Sequence, residues 1–262
     1  MKILGCTALI TGASAGIGRE FARQIAPSAA TIILVARRLE RLEELRDELT
    51  KLHPHLKVHI RAFDLAKHKS VTQLCDSLGE SGLVPDLLIN NAGLGDRGAF
   101  ATSEFGRVND MVQVNVVSLT LLTRKLLPAM IAAKRGAILN VSSSASFLPM
   151  PGFAVYAASK AYVTSFSEGL RGELHGTGVT VTALCPGPVH TEFDTVASRP
   201  GAPKDKAPEF TYVALSEVVR DALRAVETNR PLVIPGLAMK LGMFLVRLTP
   251  MPILRMASRS SR

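Results

Sequence analysis

The chain has 262 residues, 47% hydrophobic and 20% charged, which supplies one large buried core and argues against a disordered polymer. The net charge of +9 is uneven: none of the 22 acidic residues but six of the 31 lysines and arginines follow Glu227, leaving 25 basic against 22 acidic before it. Aromatics are only 5% and do not interleave with the basic residues, so no nucleic-acid partner is expected. Cys6, Cys75 and Cys185 are an odd number without close spacing and the six histidines form no ligand pattern, so neither a disulfide framework nor a metal site is expected.

Apolar runs alternate with segments of helical period. The run 6–12 (CTALITG) predicts a strand entering glycine, and 16–26 a helix that stops at Pro27. Residues 31–37 (TIILVAR) read as a buried strand. Leucines at 39, 42, 45, 49 and 52 make a helical stripe over 38–52. Strand 57–65, helix 67–79 and strand 86–93 follow, then one long helix over 104–134. Strand 137–146, helix 153–176 and strand 179–187 come next. Residues 190–214, with Pro200, Pro203 and Pro208, read as a loop; 215–228 is helical and 231–236 a last short strand. Such alternation predicts an α/β fold of Rossmann type, a single doubly wound parallel sheet with helices on both faces over 1–236. Ligands of such sheets bind beyond the carboxyl ends of the strands.

After the first strand comes TGASAGIG, with Gly12, Gly16 and Gly18. Glycine there permits a tight turn and close approach of backbone to a pyrophosphate, and a helix starting near Gly16 offers free N–H groups. The second strand ends in Ala36, Arg37 and Arg38, with no acid before Glu40. A carboxylate at this place holds a ribose 2′-hydroxyl, whereas a guanidinium accommodates a 2′-phosphate. The expectation is therefore NADP(H) rather than NAD(H), with Arg37 the nearer contact. Farther on, FAVYAASKAY places Tyr156 and Lys160 one helical turn apart. A phenol ordinarily titrates near ~10, and an adjacent ammonium lowers that value, so the pair reads as a tuned proton donor.

The order Thr11-Gly12-x3-Gly16-Ile17-Gly18, Asn90-Asn91-Ala92-Gly93, Ser143, Tyr156-x3-Lys160 and Pro186-Gly187 resembles the short-chain dehydrogenase/reductase family over roughly residues 4–236. The resemblance implies catalytic roles for four residues. Tyr156 gives a proton to a carbonyl oxygen, Lys160 lowers its pKa and binds the nicotinamide ribose, and Ser143 (chosen from Ser142, Ser143 and Ser144 by spacing) holds the substrate oxygen. Asn115 holds a relay water. It also implies cofactor contacts from Ser14 and Ile17 on the turn, Asp64 and Leu65 after the third strand, Asn91, Ala92 and Gly93 after the fourth, and Pro186, Gly187, Val189 and Thr191 after the sixth. A homodimer or homotetramer built on helices 104–134 and 153–176 is implied as well.

Leu94, Phe147, Leu148, Pro149, Met150, Phe153 and Phe193 are expected to meet substrate, and they suit a small apolar ketone or its alcohol. A 3-oxoacyl thioester reductase and a non-catalytic NADP(H)-binding scaffold are the alternatives. Three apolar residues before Cys6 are too few for a signal segment, so a cytoplasmic protein is expected. In the tail 237–262, Leu237, Leu241, Phe244, Leu245 and Leu248 share one helical face, with Lys240 and Arg247 seven apart. That tail is read as packed on the domain, at a subunit contact, or against a membrane surface.

Overall fold

The structure is a computed structural model, described for residues 1–199 and 208–259. Seven strands form one parallel sheet in the order β3-β2-β1-β4-β5-β6-β7. They are β1 (Thr7–Thr11), β2 (Thr31–Ala36), β3 (Lys57–Ala62), β4 (Leu87–Asn90), β5 (Gly136–Val141), β6 (Val179–Leu184) and β7 (Leu232–Val233). Their inner members are mostly apolar because helices cover both faces, and the buried Asn90 and Asn140 among them hydrogen-bond each other at 2.9 Å. Side chains alternate along each strand, so in β1 Ala8 and Ile10 enter one core and Leu9 the other.

The first core joins the sheet to α1 (Gly16–Ile25), α2 (Leu39–Leu52) and α8 (Leu215–Glu227) through Phe21, Leu42, Leu45, Leu49, Val219 and Leu223. Phe21 is fully buried, and its truncation to alanine costs about 3–5 kcal/mol. The second core holds α3 (Ser70–Glu80), α5 (Leu119–Ala132) and α6 (Ala154–Glu173) against the other face, through Leu74, Leu122, Met130 and Leu170. The strand order reverses between β1 and β4, which opens the crevice where such sheets bind ligands.

Two segments depart from the sequence expectation. The long helix over 104–134 is divided into α4 (Phe105–Val112), a wider π-helical turn (Gln113–Ser118) and α5. That run is apolar and long enough to cross a membrane by composition, yet Ser118 donates to the Leu65 carbonyl at 2.7 Å and Asn90 donates to Thr123 at 3.0 Å, tying it to the sheet. The expected loop 190–214 contains α7 (Glu192–Ala197), capped by Thr191, whose hydroxyl accepts from the Phe193 amide, and a short 3-10 turn at Glu209–Thr211. Pro200 and Pro203 lie outside the described residues. The tail forms α9 (Leu237–Leu248) and α10 (Met251–Arg259).

Candidate active site

The glycine turn closes on the end of β4. Gly12 is in the left-handed region (φ +68°), and a Cβ on it would lie 2.8 Å from Asn91 Nδ2 and 2.9 Å from Ala92 Cα. A Cβ on Gly18 would stand 2.3 Å from the Gly12 carbonyl oxygen. Only hydrogen fits at either place, which is the physical reason for glycine there. Thr11 fastens the two strand ends together: its hydroxyl accepts from the amides of Asn91 and Ala92, both at 3.0 Å, and Asn91 Nδ2 donates to the Thr11 carbonyl at 2.9 Å. Ile17 packs into the first core, fixing the start of α1. Ala15 offers no side-chain cap, so the first-turn N–H groups of α1 remain available for a pyrophosphate.

At the end of β2, Arg38 rather than Arg37 reaches the turn. Its Nη2 donates to Ser14 Oγ at 3.1 Å, while Arg37 is exposed. Arg38 and Arg41 also close on the Glu192 carboxylate of α7, at 3.2 and 2.8 Å, and this pairing holds the Glu192 carboxyl below its ordinary value. Two guanidinium groups converging on one anion beside Ser14 are a donor set that fits a ribose phosphate. Asp64 and Leu65 follow β3, where Asp64 Oδ1 accepts from the Ala66 amide at 3.1 Å and Leu65 is buried. After β6, the Pro186 carbonyl accepts from Ser144 at 2.8 Å and Val189 joins the first core. Thr191 lies against the turn, with its Cγ2 3.3 Å from where a Gly16 Cβ would be.

The four catalytic candidates meet at the ends of β4, β5 and α6. Ser142 points away into α6, donating to the Lys160 carbonyl at 2.8 Å, and Ser143, whose Oγ accepts from the Ala145 amide at 3.1 Å, turns the other way, near enough to the Tyr156 phenol to lower its pKa. Lys160 Nζ donates to the Val141 carbonyl at 2.8 Å and sits 5.8 Å from the centre of the Tyr156 ring. Asn115, in the π-helical turn, is almost fully buried: it accepts from the Leu94 amide at 2.8 Å and donates to the Leu94 carbonyl at 2.9 Å and to Ser159 at 3.0 Å. These bonds explain why the helix widens there, since the amide needs that reach to grip the loop after Gly93.

One electrostatic expectation is overturned. Lys160 does not dominate the titration of Tyr156. Burial does, pushing the phenol up to about 12, with Ser143 pulling it down, Asp194 adding to the rise and Arg97 opposing it. Burial also drives Lys160 down to about 8. Over Tyr156 the cover comes from Phe153 at the start of α6 and from Phe193 of α7. Phe153 stacks on Tyr156 at 4.3 Å between ring centres, Phe193 leans on it at 5.4 Å, and Phe193 and Ala197 press on Gly95 so closely that a Cβ there would lie 2.8 and 2.9 Å from them. Water is kept out, and both charged forms are disfavoured.

Sequence reasoning missed what holds that closure. Arg199 binds the carboxylate of buried Asp96 through two nitrogens, the Nε contact being 2.8 Å, and also donates to the Ala99 carbonyl at 3.0 Å. Arg107 approaches the same carboxylate at 3.3 Å and donates to the Val196 carbonyl at 3.0 Å. The Arg107–Val196 and Arg199–Asp96 contacts span 89 and 103 residues of sequence, so only the signs of their charges are visible in the chain. A cavity of about 180 Å³ lies elsewhere, between Phe210–Glu217 and Gly236–Met239, and none of the four catalytic candidates lines it.

The short chain dehydrogenase family model matches residues 6–200. Sulfoacetaldehyde reductase 2 of Chromohalobacter salexigens is 40% identical over 190 residues, covering 72% of this chain and 74% of that protein. Among solved structures, a short-chain dehydrogenase from Sphingobium yanoikuyae in complex with NADPH is 29% identical with a TM-score of 0.79, covering 91% of this chain and 92% of that one. A short chain dehydrogenase/reductase from Burkholderia phymatum in complex with NAD is 25% identical with a TM-score of 0.80, covering 94% of each chain. The crevice, the glycine turn and the Ser143–Tyr156–Lys160 grouping thus have the company of whole-length relatives, and the chain belongs to the short-chain dehydrogenase family of oxidoreductases, whose solved neighbours hold nicotinamide cofactors.

Proposed function

We propose that this protein is an NADP(H)-dependent carbonyl reductase acting between an apolar ketone and its secondary alcohol. The carrying observation is the convergence of Ser143 and Lys160 on Tyr156, whose ring is buried against Phe153 and Phe193. NADPH, bound along the glycine turn, supplies the hydride. Arg38, Arg41 and Ser14 are the residues that take its 2′-phosphate, and the Glu192 carboxylate now on those arginines is the anion such a phosphate replaces.

Ser143 hydrogen-bonds the carbonyl oxygen and points it at Tyr156. A phenol held near about 12 is fully protonated at neutral pH, so Tyr156 stands ready as the acid. As negative charge grows on the substrate oxygen, the Tyr156 proton moves to it. Lys160, in its ammonium form, stabilises the phenolate left behind. Asn115 anchors Leu94 and Ser159, which keeps the loop after β4 and the first turns of α6 in register. Phe153, Phe193, Leu94 and Met150 pack with Tyr156 in one small cluster, and an apolar substrate suits these walls.

The test is Tyr156→Phe, assayed by NADPH absorbance across a panel of ketones and by fluorescence titration of cofactor. Turnover should fall about 10²–10⁴-fold with cofactor affinity unchanged. Equal turnover in both proteins, or none in the wild type on any ketone, favours the binding scaffold instead.

A further inference from the structure

Helix α9 is apolar on two opposite sides. Met239, Met243 and Val246 turn toward the body, where Met239 packs on Gly187 beside the site. Leu237, Leu241, Phe244, Leu245 and Leu248 turn away from it and are between 56% and 83% exposed. The surface continues into α10, where Met251, Ile253 and Met256 are also exposed. Single exposed apolar residues need no explanation, but eight on two consecutive helices form a surface that marks an interaction site.

The charges choose the occupant. Lys240 and Arg247 lie on the same border of the α9 stripe, and Arg255 is exposed on α10. Arg247 reaches over the Phe147 ring at 5.7 Å. No acidic residue follows Glu227 in the sequence. An isologous contact with a second copy would set Lys240 and Arg247 against their own images, with no carboxylate side chain among the described residues of α9 and α10 to pair them. A surface that is itself anionic, with an apolar phase beneath, satisfies both the cations and the stripe. Twelve residues of α9, ended before Pro250, are too short to span a bilayer. We infer that α9 and α10 dock the protein in plane on an anionic lipid bilayer, with the outer stripe of α9 in the headgroup–acyl boundary and Lys240, Arg247 and Arg255 on the phosphates. The reductase reading is separate: docking requires only these two helices.

The experiment uses the full chain with sedimenting vesicles of phosphatidylcholine alone or mixed equally with phosphatidylglycerol. Wild type should partition at least about tenfold more onto the mixed vesicles, and raising salt from about 0.1 to 0.5 M should reverse much of that. The triple variant Leu241→Ser, Phe244→Ser, Leu245→Ser changes only exposed side chains. It should keep its melting temperature and its NADPH binding and lose at least about tenfold in partitioning. Lys240→Gln with Arg247→Gln should erase the preference for the anionic lipid. Absence of binding by the wild type, equal binding by the triple variant, or a dimer in sedimentation velocity that the triple variant loses while vesicles capture neither protein, each overturns the inference.

Discussion

Lys160 gives the sharpest physical test. Its ammonium is buried in the fold, and burial holds its pKa at about 8 against an ordinary 10.5. A basic group with a depressed native pKa binds fewer protons folded than unfolded between those values. Stability therefore rises as pH climbs from about 8 to 10.5 and is lost as pH falls back through about 8. At about 1.4 kcal/mol per pH unit, that interval is worth about 3 kcal/mol. The comparison is with Lys160→Met, which keeps the volume and loses the charge. Losing the hydrogen bond to the Val141 carbonyl shifts the variant by an amount that changes little with pH. Tyr156, raised to about 12, opposes the trend above pH 10 but is present in both proteins and drops out of the difference.

Urea unfolding of the cofactor-free proteins between about pH 7.5 and 10.5 reads this directly. The wild type should gain about 3 kcal/mol on the variant across that range. Parallel pH profiles would falsify the reasoning, because they mean the ammonium stays charged in the fold and solvent reaches it. The same titration predicts that kcat/KM for ketone reduction declines above pH about 8, as Lys160 loses the proton that supports the phenolate.

Other expectations follow from contacts already described. Arg38→Ala should cut the ratio of kcat/KM for NADPH over NADH by about 10–100-fold, whereas Arg37→Ala should change it little; the reverse ranking refutes the placement of the phosphate. Glu192→Gln removes the anion that Arg38 and Arg41 now hold, so KM for NADPH should drop by a few fold, roughly, with kcat unaffected. Asp96→Asn leaves Arg199 without its carboxylate and should destabilise the protein by about 3 kcal/mol in denaturant, an unchanged midpoint counting against the closure described. In Gly18→Ala a Cβ would meet the Gly12 carbonyl oxygen at 2.3 Å, so cofactor binding by calorimetry should vanish even where soluble protein is recovered.

The sheet was legible because burial on both faces forces unbroken apolar runs, and TIILVA has no other role to serve. The glycine turn was legible because a Cβ on Gly12 or Gly18 would run into the Asn91 side chain or the backbone of the turn, so neither place takes another residue. What escaped the sequence is held by tertiary partners. Helix α7 spans six residues, too few to show a helical period, and it persists because Thr191 caps it and because Glu192, Val196 and Ala197 meet side chains or backbone far away in the chain. The π-helical turn at Gln113–Ser118 continues the apolar helical pattern on either side, and the bonds of Asn115 to Leu94 that accompany it are tertiary. The leucines of α9 predicted a helix with an apolar stripe, but a helix apolar on two sides does not say which side the body covers.

The titration of Tyr156 shows why residue spacing is a weak guide to electrostatics. One helical turn between a phenol and an ammonium fixes their separation but not the medium between them. Here Phe153 and Phe193 cover Tyr156 and the fold buries Lys160, so desolvation raises the phenol and lowers the ammonium, and Lys160 Nζ donates its hydrogen bond to the Val141 carbonyl. A dry site costs each isolated charge heavily, yet it strengthens any charge pair formed within it. In the mechanism proposed above, the proton therefore stays on Tyr156 while the site is at rest, and it leaves when a substrate oxygen beside Ser143 becomes the stronger base. Motif spacing identifies which groups take part in that exchange; the packing of α7 sets the order in which they do so.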